Sequence, residues 1–168
     1  MKVCWCMAIT IGILCGSVFA QDALTDSSDA PETGVVAFQG EDRSIMVFNS
    51  PTDAKWLCET FMMKLIGSGV QDAFEELKPY FPLSEAELSM IAMQTLQQFE
   101  LIKSRFGQLV GYQLVKEEMV NNVILRFIYI QKFEKHAVRW IFYFYKPADQ
   151  WMFNEFYIDD KLKDLFAS

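Results

Sequence analysis

The chain is poor in the residues that most chemistry needs. It has one histidine, His136, and four cysteines, three of which (Cys4, Cys6 and Cys15) fall in the first twenty residues. Past residue 20 only Cys58 remains, so that portion cannot close an internal disulfide. Cys58 sits on an apolar helical stripe far in sequence from His136, which reads as a core thiol and not as a nucleophile with its base. The sequence has no HExxH, no Cys-x-x-Cys, no Gly-rich phosphate loop and no Gly-x-Ser-x-Gly. No metal site is expected, because Asp159-Asp160 alone falls well short of the oxygen ligands calcium requires, and no cofactor is implied. Basic residues are also scarce, 15 against 22 acidic, for a net charge of −7. An acidic chain without a basic stripe argues against nucleic acid and anionic membrane surfaces as partners.

What the chain has in quantity is apolar and aromatic material. Hydrophobic residues make up 52%, and Phe alone contributes 15 residues, enough for a core in a chain of 168. Residues 1–20, MKVCWCMAITIGILCGSVFA, have the layout of a secretory signal peptide. Lys2 forms a short positive region, an apolar stretch follows to Leu14, and Val18-Phe19-Ala20 places small residues at the cleavage site. The competing reading is a retained membrane anchor. Cleavage implies a secreted or periplasmic protein with no membrane attachment. Residues 21–50 then read as an acidic leader (QDALTDSSDAPETG) and an arm, VVAFQGEDRSIMVF, in which Gly40-Glu41-Asp42 could turn a hairpin.

The domain is expected over residues 51–168. Ser50-Pro51-Thr52-Asp53 is a helix start with a capping box, and Ala54, Leu57, Cys58, Phe61 and Leu65 share one helical face up to a stop at Gly67. A short helix from Val70 turns Ala73, Phe74, Leu77 and Tyr80 inward and is closed by Pro79 and Pro82. Ser84 and Glu87 form a second capping box. They open a long helix to Phe106, striped by Leu88, Ile91, Ala92, Thr95, Phe99, Ile102 and Phe106, with Gly107 as the stop. Met90 and Met93 beside that stripe read as gap-filling core. The period then changes from 3.6 to 2. Strands are expected at Gly111–Val120, Val123–Phe133, Ala137–Lys146 and Trp151–Ile158, with turns at Asn121-Asn122, Lys135-His136 and Pro147-Ala148-Asp149. The tail, DDKLKDLF, is short and amphipathic. The expected class is α+β, with N-terminal helices packed on one face of a bent antiparallel sheet of about four strands.

The last three strands are apolar on both alternating faces, so both faces should be covered. With two-residue turns, one face carries Leu125, Phe127, Tyr129, Trp140, Phe142, Phe144, Phe153, Glu155 and Tyr157. The other carries Ile124, Arg126, Ile128, Ile141, Tyr143, Tyr145, Met152, Asn154 and Phe156. Arg126, Tyr143, Tyr145 and Asn154 would then converge as polar groups in an apolar setting, a recipe for ligand recognition in which Arg126 clamps an acid. The plainer alternative pairs Arg126 with a neighbouring carboxylate and packs the tyrosines. Glu155, among Trp140, Phe142 and Phe153, is the alternative acid/base candidate, with a rim position in solvent as its plainer reading.

The element order from Pro51 to Ile158, and the ending FYFYKPADQWMFNEFYID, resemble the nuclear transport factor 2-like superfamily, also called SnoaL-like or cystatin-like. That resemblance implies a cone with a pocket between helices and sheet, and dimerisation through the outer sheet face. It fixes no activity. The functional expectation is an exported, non-catalytic domain that binds a small apolar ligand or a protein partner, as a homodimer. The alternatives are a SnoaL-like isomerase, cyclase or dehydratase acting on a hydrophobic carbonyl substrate, or a membrane-anchored periplasmic assembly protein.

Overall fold

The computed structural model describes residues 45–166. The expected signal peptide, the acidic leader and the Gly40-Glu41-Asp42 hairpin lie outside the described residues. Helix α1 spans Pro51–Gly67, α2 Val70–Leu77 and α3 Glu85–Phe106. Strands β1 Leu109–Val120, β2 Ile124–Phe133, β3 Ala137–Tyr145 and β4 Met152–Asp159 follow, and a 3-10 helix, Leu162–Leu165, ends the described chain. The class is α+β, helices first and sheet afterwards, as expected.

Both capping boxes form. Ser50 Oγ accepts from the Asp53 N–H at 3.2 Å while the Asp53 carboxylate accepts the Ser50 N–H at 3.1 Å. Ser84 and Glu87 repeat the exchange at 3.3 and 2.9 Å. Helix α1 ends at Gly67, as expected. The backbone turns at Gly69 (φ +107), whose N–H and that of Ser68 both reach the Lys64 carbonyl.

The strands run β1-β2-β3-β4 as an antiparallel meander. Asn121 and Asn122 both take positive φ, the conformation a tight β1–β2 hairpin turn needs. Residues 45–48 belong to the packed domain: the Met46 N–H bonds the Pro79 carbonyl, and Phe48 exchanges both backbone bonds with Trp151. Trp151, expected as the first residue of the last strand, makes this separate bridge just ahead of β4.

The helices lie on one face of the sheet, and each helical segment sends a phenylalanine onto it. Phe61 of α1 meets Trp140 and Phe142 with ring centroids 5.2 and 5.5 Å apart. Phe74 of α2 meets Phe156 at 5.6 Å, Phe81 of the α2–α3 connection meets Phe153 at 5.4 Å, and Phe99 of α3 meets Phe133 at 5.9 Å. Such aromatic pairs contribute roughly 0.5–1.5 kcal/mol each beyond their buried area. The buried Trp140 Nε1–H donates to Gln131 Oε1 at 2.9 Å, so the indole's polar edge is satisfied inside the core.

The alternation expected for the last strand is corrected by a bulge. Tyr143 pairs with Glu155 and Phe144 pairs with Phe153, leaving Asn154 as the extra residue. Beyond it the parity reverses: Phe156 and Ile158 turn into the core, and Glu155 and Tyr157 turn to the helix-free face. Glu155 therefore does not sit among Trp140, Phe142 and Phe153. Two further irregularities in β1, at Val110 and Val115, leave both valines exposed. Met90 and Met93 are not core: at 57% and 58% exposure they lie on the solvent side of α3.

Candidate functional site

Every sequence-derived candidate except Asn154 belongs to the outer face of the sheet, the one the helices do not cover. The register sets Arg126 opposite Glu118 on β1 and opposite Tyr143 on β3. Arg126 Nε donates to Glu118 Oε2 at 2.8 Å, Nη2 donates to the same oxygen, and Nη1 donates to the Tyr143 hydroxyl at 3.3 Å. The hydrogen bond to Arg126 holds the Glu118 carboxyl below its usual range. On Arg126 the bond to Tyr143 raises the pKa, partial burial opposes it, and Glu118 adds to the rise. Both side chains remain about one-third exposed, so the pair is worth about 0–1 kcal/mol.

The network continues across the bulge. The Tyr143 and Tyr157 rings meet edge to face, centroids 5.9 Å apart at 89°. The Tyr157 hydroxyl donates to Glu155 Oε2 at 2.7 Å. That bond, assisted by burial, pushes the Tyr157 pKa up to about 12. Tyr145 stands at the end of the same face, opposite Ile124 and Met152. Asn154 is exposed at the bulge and joins none of these contacts through any hydrogen bond of its own among the described residues. So the fold brings Arg126, Tyr143 and, through Tyr157, Glu155 into one ladder, with Tyr145 at its end.

Sequence reasoning missed Glu118 and Tyr157 as members. Glu118 was legible in the β1 alternation once Val120 and Ile124 are set facing each other. Tyr157 was hidden by the bulge. The ladder borders a groove of about 500 Å³ lined by Glu118, Met119, Val120, Ile124, Arg126 and Tyr143. Val120, Ile124 and Tyr145 are 60%, 36% and 42% exposed at this end of the face. Arg126 spends three of its five N–H groups on Glu118 and Tyr143, and an incoming acid on the remaining two would meet the like charge of the Glu118 carboxylate beside it. The arrangement is suited to surface contact more than to gripping a small anion.

On the helix side, the space among Thr95, Phe99, Ile102, Gln131, Trp140 and Ile158 amounts to about 10 Å³, at the lower limit for one water molecule. The interior there is filled by side chains. Buried groups in the core are inert: burial, with a smaller push from Glu59, raises the Cys58 thiol well above its usual pKa, and burial raises the Tyr129 phenol likewise. His136 rests its ring on Phe106, centroids 4.2 Å apart, with Nε2 3.8 Å from Asp160 Oδ2. Asp159 is engaged by Arg139 at 2.8 Å. Among the described residues no cluster of three or more His, Cys, Asp or Glu side chains is arranged to hold a metal ion, and no helix is long and apolar enough to cross a membrane. In comparisons with known proteins, no family model, no curated protein and no solved structure matches the chain.

Proposed function

We propose that this is an exported, non-catalytic domain of nuclear transport factor 2-like type that works by protein association, forming a homodimer through its outer sheet face. One contrast carries the reading. The space between α3 and the sheet around Trp140 is only about 10 Å³, while the outer face presents Val120, Ile124 and Tyr145 beside a 500 Å³ groove. A filled interior favours contact between surfaces over capture of a small ligand, and contiguous apolar surface on a soluble domain marks a contact site.

A second copy is the occupant that the chemistry fits. The patch carries both signs, Glu118 and Arg126, at its centre. Under two-fold symmetry each patch meets its own image, so an acid–base pair offers each copy an opposite charge. Four strands about 4.8 Å apart and roughly 30 Å long span about 580 Å² of sheet plane, short of the roughly 800 Å² per partner of a standard interface, so a dimer would draw on the flanking surface as well.

The test is sedimentation equilibrium on the purified chain and on Ile124→Glu. A concentration-dependent dimer that the substitution dissociates, with an unchanged circular dichroism spectrum, is the expected result. A parent protein that stays monomeric up to its solubility limit refutes it. N-terminal sequencing of the secreted protein tests export, with Gln21 as the expected first residue.

A further inference from the structure

The outer face is not bare along its whole length. Arg139 lies on it, since its neighbour Trp140 turns to the helices, yet its side chain is only 6% exposed. Two groups enclose it. Asp159, directly across on β4, accepts from Nε and Nη2 at 2.8 Å each. The terminal 3-10 helix lies against β3 and brings Asp164 Oδ2 to 3.3 Å from Nη2. At the opposite end, Val120, Ile124 and Tyr145 have no such cover among the described residues.

The tail is held weakly. Its helix is four residues long with no side-chain cap at its start, too short to persist without tertiary contact. Leu162 and Leu165 are half-buried, Phe166 projects outward, and the Asp164 carboxylate is more than half exposed. Arg139 does not depend on it, because Asp159 already takes the guanidinium with two parallel bonds. Lifting the tail would therefore uncover sheet surface without orphaning a buried charge.

We propose that residues Lys161–Phe166 are a removable strap over the Arg139 end of the outer face, limiting how much of that face a second copy can cover. The effect on association rests on the homodimer reading above; the strap itself does not. Two variants test it in the full chain: truncation after Asp160, and Asp164→Lys, which sets a like charge beside Arg139 in an otherwise complete tail. Both should keep the native circular dichroism spectrum and raise the fluorescence of a dye that binds apolar surface. Both should tighten self-association about tenfold, the effect of docking one further isoleucine-sized side chain. Trypsin should cut the parent at Lys161 or Lys163 before any site within the sheet. Unchanged dye binding in both variants, or tail lysines as resistant as Lys132 of β2, overturns the strap whatever the association state. Increased dye binding with no self-association in any form upholds the strap and overturns the dimer.

Discussion

Gly107 ends α3 at φ +87 and ψ −164, a region of backbone space open almost only to glycine. The corner is tied down on its other side. The Glu134 N–H bonds the Gln108 carbonyl at 3.1 Å, the Lys135 N–H bonds the Phe106 carbonyl at 3.0 Å, and the Gln108 N–H bonds Glu134 Oε2 at 3.1 Å. A β-carbon at Gly107 would overlap Glu134 Oε2 and lie 3.1 Å from the Glu134 β-carbon. Gly107→Ala therefore carries two costs. Holding alanine in this conformation costs about 1–3 kcal/mol. Pushing the Glu134 carboxylate off the Gln108 N–H costs about 1 kcal/mol more, since that N–H can turn to water. Two other glycines separate the terms. Gly69 has φ +107 with nothing within 4 Å of an added β-carbon, so Gly69→Ala should show the backbone cost alone. Gly67 is helical and equally open, so Gly67→Ala should stabilise by about 0.5–1 kcal/mol. Urea midpoints at constant slope give all three values. Combining Gly107→Ala with Glu134→Ala should recover the steric part as a coupling energy. Equal losses at Gly69 and Gly107, with no coupling to Glu134, would refute the argument.

Three further outcomes are expected. Phe61→Ala removes the ring that meets Trp140, Phe142 and Phe74, and should cost about 3–5 kcal/mol in urea unfolding; a loss below about 1 kcal/mol would mean the helices are not seated on the sheet as described. Burial pushes the Asp159 carboxyl up, but its hydrogen bonds to Arg139 and the Lys161 N–H outweigh this and hold it below the usual range. A group depressed in the folded state contributes stability that is complete above its unfolded pKa of about 3.9 and is lost as pH falls through the folded value. The parent should therefore lose stability below about pH 4 more steeply than an Arg139→Met/Asp159→Asn double variant, and parallel acid profiles would contradict this. At neutral pH, Arg139→Met alone should cost about 3–5 kcal/mol, because it leaves the largely enclosed Asp159 carboxylate without its charged partner, held only by the Lys161 N–H. Cys58, fully enclosed and with its pKa raised by burial, should react with a thiol reagent only at the rate of global opening, so rapid modification of the native protein would count against its placement.

The sequence spoke clearly where local chemistry decides the outcome. Ser50 and Ser84 with their capping partners, and the change from period 3.6 to period 2 after Gly107, were enough for the helix starts and the four-stranded meander. The two sheet faces were legible through Phe153, because alternation is a local rule. It failed at Asn154, where the two-against-one pairing with β3 depends on how the strands twist together and leaves no mark in composition. Met90 and Met93 were misread for a related reason: the stripe of α3 is fixed by Leu88, Ala92, Thr95 and Phe99, and only packing decides which flank turns outward. For the ladder, Arg126 and Tyr143 were found as neighbours by projection. Glu118 was passed over because polar strand residues look like solvent until their register is known.

The extra residue at Asn154 also bears on how this chain can change in length. In a turn such as Pro147–Gln150, one residue more or less alters a loop. At Asn154 a single deletion would remove the bulge itself: Glu155 would follow Phe153 directly, stay opposite Tyr143, and leave Phe156 and Ile158 in the core. An insertion at the same place has the opposite effect, because a second unpaired residue would turn Glu155 and Tyr157 toward the core and Phe156 and Ile158 out. Among variants of this fold, β4 should therefore tolerate the loss of one residue at position 154 and be purged of insertions there, whereas the turns accept changes of either sign.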